Sequence, residues 1–418
     1  IKNELNKIKE AEELFLKSIE IKKDFVYGFS SLFRFYEKTN NLEKLNEQLN
    51  FQIGNNLIKN ELLMYKSRVL FREKKFSKAK ELIDKVSLAW VEKTDNNTRL
   101  NFWSFKAFVE EKEKNFKEAY DSFVKSQLNE KYENCDKNAF KDYIIDYGKN
   151  LENENFLTKR NSFIKEKTNV CFLIGFPRSG TTLLDTILRS HPDIEVIEEK
   201  PIINSLEKII KTQFKYKLDE IYKLNEKEVK KLRQIYLENI FKLSDKKNVQ
   251  LTINKFPFQT VSLPLINFIF PEAKIIFAHR HPYDTVLSCF QQSFEPNNAM
   301  AHLRSLRESS EIYDLTMKMW VRYKEELNLV YKMSKYESLI GNFEIHTKEI
   351  MDFLNIEWNS SIKNYRATAL SRDKINTPSS SQVVQPLYKS SISKWKNYKA
   401  YFDNCHIYLE EWVKYFNY

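Results

Sequence analysis

One stretch, VCFLIGFPRSGTTLLDTILRSHP at 170–192, constrains the fold of this 418-residue chain more than any other. It reads as a buried strand, then the loop GFPRSGTT (175–182), then a helix. Gly175 and Gly180 let the backbone wrap around an anion, and the first N–H groups of the helix face that anion with the positive end of the helix dipole. The segment therefore predicts an anion-binding loop in an α/β domain.

Two more apolar runs, QLTIN (250–254) and AKIIFAH (273–279), also read as buried strands, and the Lys-, Glu- and Leu-rich residues 205–247 read as helices inserted between strands. This alternation predicts a parallel sheet flanked by helices.

The loop has the Gly-x4-Gly spacing of a P-loop, but Thr181 and Thr182 follow where an ATP-binding loop carries Lys and then Ser or Thr. Arg178 inside the loop supplies a cation instead. A P-loop kinase or ATPase is therefore disfavoured and is kept as an alternative.

The first 150 residues carry a helical repeat. Four segments each place a small or apolar pivot four residues before a large apolar residue, a helical spacing. The pivots step by 34, 34 and 40 residues and are Ala11, Leu45, Ala79 and Ala119. Two helices per 34 residues resemble the tetratricopeptide repeat, with an unrelated helical bundle as the alternative. We expect an α-solenoid at 1–150 that docks a protein or peptide, a linker at 151–167 and a catalytic domain at 168–418.

The loop and the residues after it carry a family resemblance. PRSGTT after a strand resembles the 5′-phosphosulfate loop of sulfotransferases that use 3′-phosphoadenosine 5′-phosphosulfate (PAPS), and HPDIEVIEEKP is similar to the matching stretch of protein-tyrosine sulfotransferases and of bacterial tetratricopeptide-repeat sulfotransferases. In the tyrosine sulfotransferases the catalytic base is a Glu 21 residues after the loop Arg, and that position here is Glu199. The adjacent Glu198 leaves the assignment open by one residue.

Two more segments resemble the family's contacts to the phosphates and to the sulfuryl group. Arg280 after the strand at 273–279, with Ser288 eight residues later, resembles the 3′-phosphate site, where Arg and Ser supply charge-assisted and neutral hydrogen bonds. Lys255 in TINKFPF resembles the Lys that neutralises charge at the sulfuryl group, with a solvated surface Lys as the alternative.

The resemblance also implies contacts from the C-terminal part of the chain. Ser379 and Lys394 are 15 residues apart, the spacing of a Ser and a Lys that touch the cofactor in tyrosine sulfotransferases, and Tyr336 in KYESLI looks like the Tyr offered to the nucleotide. The Ser-rich stretch around Ser379 also fits a flexible linker.

The function that this resemblance implies is PAPS-dependent transfer of a sulfuryl group to a hydroxylated acceptor, with PAP as the product and without a metal. Glu199 would be the general base, Arg178 and Lys255 would stabilise developing charge, and the backbone of Ser179, Gly180, Thr181 and Thr182 would cradle the 5′-phosphate. A peptide tyrosine, a glycan and a small metabolite stay open as acceptors. His281 is a competing base, and a nucleotide-binding repeat scaffold without turnover is the alternative function.

Composition bounds the partners. The net charge of +11 comes from 68 basic and 57 acidic residues, and interleaved Lys, Glu and Asp predict solvated helix faces rather than a nucleic-acid surface. We expect no membrane span, and four widely spaced cysteines predict a cytoplasmic location. The missing initiator Met leaves a preceding targeting segment open, and the sequence leaves a homodimer open.

Overall fold

The computed structural model describes residues 8–22, 25–163, 168–246, 248–372 and 383–418. By their contacts, the described residues divide into two compact units, with the main division just before Tyr132.

The first unit is helical in its described residues. Its helices are α1 Ile8–Ile21, α2 Val26–Lys38, α3 Leu42–Phe51, α4 Lys59–Arg72, α5 Phe76–Asp84, α6 Leu88–Lys93, α7 Asn96–Lys112 and α8 Phe116–Ser126. The helices α4 and α5 pack against each other, as do α7 and α8. The four pivots of the sequence repeat are all buried, which fits the helical face that the spacing predicts. The tetratricopeptide-like character of this unit stays a prediction.

The second unit has a central sheet with helices around it. Its strands are β1 Val170–Gly175, β2 Ile194–Glu198, β3 Leu251–Lys255, β4 Lys274–His279 and β5 Val330–Lys335. Its helices are α9 Lys137–Lys149, α10 Asn155–Phe163, α11 Thr181–Arg189, α12 Ile202–Ile209, α13 Glu226–Leu243, α14 Leu263–Ile269, α15 Pro282–Phe290, α16 Leu306–Glu326, α17 Tyr336–Gly341, α18 Phe343–Leu354, α19 Tyr365–Ser371 and α20 His406–Tyr415. Within the described ranges, no helix combines the length and the apolar character needed to cross a membrane.

The sheet has the order β2-β3-β1-β4-β5, and every neighbouring pair is parallel. The predicted parallel sheet is therefore confirmed. β1 lies in the middle and is buried along its whole length, so its apolar run VCFLIG meets helices on both faces. Because all strands run the same way, their carboxyl ends meet at one edge, which is where ligands bind in open α/β sheets.

Residues 132–167 differ from the predicted layout. The stretch predicted as a linker contains α10, and α9 belongs to the second unit. The reason lies in α9, where the hydroxyls of Tyr143 and Tyr147 each donate to Glu207 Oε1 at 2.6 Å. These bonds satisfy a buried carboxylate on α12, so α9 completes the α/β unit. The boundary at 150 stays a prediction about which part of the chain folds alone.

Candidate active site

Each of the five strands delivers a candidate residue to the carboxyl edge of the sheet. These residues are Arg178 after β1, Glu198 and Glu199 at and after the end of β2, Lys255 at the end of β3, Arg280 after β4 and Tyr336 after β5. The strand order places Glu199 and Lys255 on one side of β1, and Arg280 and Tyr336 on the other. The phosphate loop lies between the two groups.

Two glycines shape the loop between β1 and α11. Gly180 has a φ of +97°, and a Cβ there would lie 2.7 Å from the ring of Tyr336. A Cβ at Gly175 would collide with the carbonyl oxygen of Ala278 on β4. The loop thus passes its neighbours too closely for a side chain at either position, and α11 begins directly after Gly180.

The other loop residues that the sequence predicts, Ser179, Thr181 and Thr182, are buried at the start of α11. The Ser179 hydroxyl donates to the carbonyl of Phe176 at 2.7 Å, which closes the turn. The first N–H groups of a helix have no partner within the helix, so this end of α11 suits an anion.

Arg178 joins the two predicted phosphate sites. Its φ of +70° is uncommon for a residue other than Gly, and such backbone conformations concentrate at functional sites. Its Nε donates to the hydroxyl of Ser288 on α15 at 3.0 Å. Burial lowers the pKa of Arg178, and the positive charge of Arg280 lowers it further. Two arginines that repel each other in a buried place favour a bound anion between them.

Lys255 is fully buried among three carboxylates. Its Nζ lies 2.7 Å from Glu199 Oε1, 3.2 Å from Glu198 Oε1 and 3.8 Å from Asp185 Oδ2. Burial lowers the pKa of Lys255, but the three negative charges outweigh it, so the pKa is raised and the ammonium stays charged. Of the three carboxylates, Asp185 on α11 is the one that the sequence did not predict.

Glu199 and Glu198 share this ammonium but differ in exposure. The Glu199 side chain is 29% exposed, whereas the Glu198 side chain is 5% exposed. Glu199 has a φ of +48°, and its N–H donates to the carbonyl of Lys255 at 2.8 Å, which turns the chain out of β2. Burial raises the pKa of Glu199, Lys255 lowers it, and the net shift is upward. Glu199 is therefore the carboxylate that a substrate can reach.

Arg280 lies on the other side of β1. Its Nη2 donates to the carbonyl of Ser391, and its Cζ lies 5.1 Å from the centre of the Tyr336 ring. The Tyr336 hydroxyl is 2.9 Å from Ser391 Oγ. Arg280 Nε is buried and has no hydrogen-bond partner among the described residues. A buried, unpaired guanidinium N–H is costly unless a ligand uses it, so this donor fits a phosphate oxygen.

The turn at 391–395 brings further groups to the site. Lys394 Nζ donates to Gln291 Oε1 at 2.8 Å, whereas Ser379 lies outside the described residues. The sequence interpretation missed Ser391 and Asp284. Two signals pointed to them: Ser391 belongs to the same Ser-rich run as Ser379, and Asp284 lies four residues before Ser288, on the same helix face.

His281, the competing base, lies in a packed environment. Its ring stacks on Trp395 with centroids 5.4 Å apart, and its N–H donates to Glu337 Oε1 at 3.0 Å. Burial and the charge of Arg280 lower the pKa of His281 to about 4. The imidazole is therefore neutral near pH 7. Among the described residues, no three His, Cys, Asp or Glu side chains are gathered as a metal site would require.

With this geometry described, comparison with known proteins identifies the family. A model of the Sulfotransferase family matches residues 171–360. The chain carries a sulfotransferase-family domain. The resemblance seen in the sequence is thereby confirmed, and the matched segment contains Arg178, Glu199, Lys255 and Arg280.

The sulfotransferase domain also aligns with curated relatives. An uncharacterized protein of Aquifex aeolicus is 28% identical over 241 residues, which cover 55% of this chain and 31% of that protein. Protein-tyrosine sulfotransferase 1 of Danio rerio is 28% identical over 235 residues, which cover 54% of this chain and 64% of that protein. The chain thus spans less than two thirds of the length of these relatives.

Among solved structures, the sulfotransferase domain from the Synechococcus PCC 7002 olefin synthase is similar over 56% of this chain and 89% of its own length, with 18% identity and a TM-score of 0.39. A mouse sulfotransferase in complex with PAP is similar over 62% of this chain and 91% of its own length, with 16% identity and a TM-score of 0.34.

Proposed function

We propose that the second unit is a PAPS-dependent sulfotransferase that acts on a hydroxyl or phenol. One observation carries the proposal: a single sheet edge holds the cations Arg178 and Arg280 around a phosphate loop, and a reachable carboxylate–ammonium pair, Glu199 and Lys255, on the other side of β1. The first group suits an anionic nucleotide, and the second suits removal of a proton beside a growing negative charge.

The residues present fit the cofactor. The collision of a Cβ with Ala278 or Tyr336 leaves a loop of bare backbone, and the unpaired Nε of Arg280 needs an acceptor. When bound, PAPS would supply a sulfuryl group attached to a phosphate leaving group. Arg178 and the start of α11 would hold the 5′-phosphate, and Arg280 would hold the 3′-phosphate, aided by Ser288.

Two further contacts are part of the proposal. Tyr336 would contact the nucleotide, since its ring lies below Arg280 and against the loop. Lys394, and Ser379 where the sequence spacing places it, would contact the phosphates.

The proton would be handled by Glu199. Its exposed carboxylate accepts the proton of the acceptor hydroxyl, while Lys255 Nζ, 2.7 Å away, holds that carboxylate in place. The ammonium of Lys255 stays charged and can stabilise negative charge on transferring oxygens. The raised pKa of Glu199 makes it a stronger base than an ordinary Glu.

The nucleotide assignment is tested by thermal unfolding with PAP, 5′-AMP and ATP. PAP should raise the Tm most, and Arg280→Ala should remove most of the difference between PAP and 5′-AMP. Arg307→Ala is the matched control, because Arg307 is exposed on α16 and pairs with Glu311. Equal stabilisation by PAP and 5′-AMP would contradict the 3′-phosphate assignment, and a larger shift with ATP would favour the kinase alternative.

The activity is tested by PAP release from PAPS with tyrosine peptides, glycans and hydroxylated metabolites as acceptors. The acceptor class that supports turnover assigns the substrate. PAP binding without turnover on any of them would favour the scaffold alternative. A cytoplasmic location, a homodimer and docking of a protein or peptide on the first unit stay predictions from the sequence.

A further inference from the structure

One face of α15 carries three polar side chains toward the candidate site. Asp284, Ser288 and Gln291 follow at spacings of four and three residues, which places them along one side of the helix and its end. Ser288 accepts a hydrogen bond from Arg178, and Gln291 accepts one from Lys394. Two of the three thus bond a cation that the proposed function uses.

Asp284, the third, bonds the backbone on both sides of Lys394. Its Oδ2 accepts the N–H of Ser393 at 2.7 Å, and its Oδ1 accepts the N–H of Trp395 at 2.8 Å. Both bonds are charge-assisted, and the Asp284 side chain is buried at 1% exposure. The pKa of Asp284 is raised by burial, with Arg280 and the two N–H groups acting in the opposite direction, so this carboxylate is held charged at a cost.

The turn that Asp284 holds is not one the chain adopts without help. Ser393 has a φ of +59°, a left-handed conformation that is unfavourable for a residue with a side chain. The ring of Trp395 stacks on Tyr283, the neighbour of Asp284, with centroids 4.5 Å apart. The backbone bonds and the stacked ring therefore fix both flanks of Lys394, while Gln291 fixes its tip.

We infer that Asp284 and Gln291 are positioning residues that hold Lys394 for an anionic group of the nucleotide. The inference rests on the proposed function. It adds that α15 aligns two cations from distant parts of the chain, Arg178 through Ser288 and Lys394 through Asp284 and Gln291, before the nucleotide arrives. Such pre-alignment spares the ligand the ordering of a long, flexible side chain.

The test is a double-mutant cycle on PAP affinity, measured by calorimetry. Asp284→Asn keeps the size but removes the charge and one acceptor, and Lys394→Ala removes the group that it positions. Each single variant should bind PAP about tenfold more weakly or worse. The double variant should be within about threefold of Lys394→Ala, because Asp284 acts through Lys394.

Asp314→Asn is the matched control. Asp314 on α16 also accepts an N–H from a tryptophan, Trp412 Nε1 at 2.9 Å, and its loss should lower the Tm without changing PAP affinity. A structural role for Asp284 would make Asp284→Asn behave in the same way. Unchanged PAP affinity, or losses that multiply in the double variant, would overturn the inference.

Gln291→Ala keeps the inference testable if Asp284→Asn does not fold. It removes only the bond to the tip of Lys394, and it should weaken PAP binding in the wild-type background but not in Lys394→Ala. An equal loss in both backgrounds would overturn the positioning role. A wild-type chain that does not bind PAP at all would overturn the proposed function itself, which is a different result from either of these.

Discussion

Replacing Glu199 with Gln separates proton transfer from nucleotide binding. The change keeps an oxygen that can accept from Lys255, which retains Glu198 and Asp185 as counter-charges, so the fold should be retained. A general base contributes only as the acceptor oxygen gains its bond to sulfur. Turnover should therefore fall by about 10²–10⁴-fold, or about 2.7–5.5 kcal/mol of transition-state stabilisation, while PAP affinity changes little.

Glu198→Gln is the matched control. It makes the same chemical change at a carboxylate bonded to the same ammonium, but at a side chain that is 5% rather than 29% exposed. It should leave kcat within about tenfold of the wild type, because a buried carboxylate cannot reach the acceptor.

The pH profile gives an independent readout. Glu199 must lose its proton to act, and its pKa is raised, so wild-type kcat/KM should fall with decreasing pH earlier than an ordinary Glu would cause. The charge of Glu198 contributes to that raised pKa. Glu198→Gln should therefore lower the pKa of Glu199 and move the acid limb to lower pH.

Single-turnover and pH measurements on purified variants would refute this reasoning in two ways. One is an active Glu199→Gln together with an inactive His281→Ala, which would move the base to His281 and place the acid limb near its pKa of about 4. The other is a Glu198→Gln variant that loses as much turnover as Glu199→Gln, which would assign the base one residue earlier.

Three other features give measurable outcomes. Burial raises the pKa of Glu61 to about 7, so the folded state holds a proton that the unfolded state has released and stability falls as pH rises from 4.5 to about 7; Glu61→Gln should therefore raise the Tm at pH 8, by about 1–3 kcal/mol of stability, and not at pH 4. Gly180→Ala should abolish the Tm shift caused by PAP, while Gly54→Ala, with a similar φ of +93° but nothing within 4 Å, should retain it. Removing residues 1–131 should leave PAP binding intact, whereas removing 1–150 also deletes α9 and its bonds to a buried carboxylate, so calorimetry should show PAP binding with a Tm lower by several degrees, about 1–3 kcal/mol per lost bond.

The centre of the sheet could be predicted from the sequence because its signals are local. β1, β3 and β4 are continuous apolar runs, and the glycines that follow β1 permit only a tight loop. Arg178, Lys255 and Arg280 stand directly after these runs, so the parallel arrangement brings them to one edge. For these residues, strand position in the sequence was enough.

β2 was not predicted as a strand, for a physical reason. Two of its five residues, Glu195 and Glu198, are acidic, which locally indicates an exposed segment, yet both are buried. Glu195 accepts the N–H of Asp245 at 3.1 Å, and Glu198 bonds Lys255 at 3.2 Å. Each partner lies about fifty residues away along the chain, so no local pattern shows that the charge will be compensated. The turn around Ser391 was missed for the same reason, since Asp284 fixes it from a distant helix.

The position of β1 in the middle of the sheet has a consequence for biosynthesis. Both of its neighbours come later in the chain, β3 at 251–255 and β4 at 274–279. At a synthesis rate of about 5–20 residues per second, the apolar run VCFLIG waits roughly 5–20 s for its second partner after leaving the ribosome. An uncharged strand with both edges open is a template for wrong pairing, so the nascent chain needs protection during this interval. Chains that terminate before β4 should accumulate as aggregates, however well the helices that precede them fold.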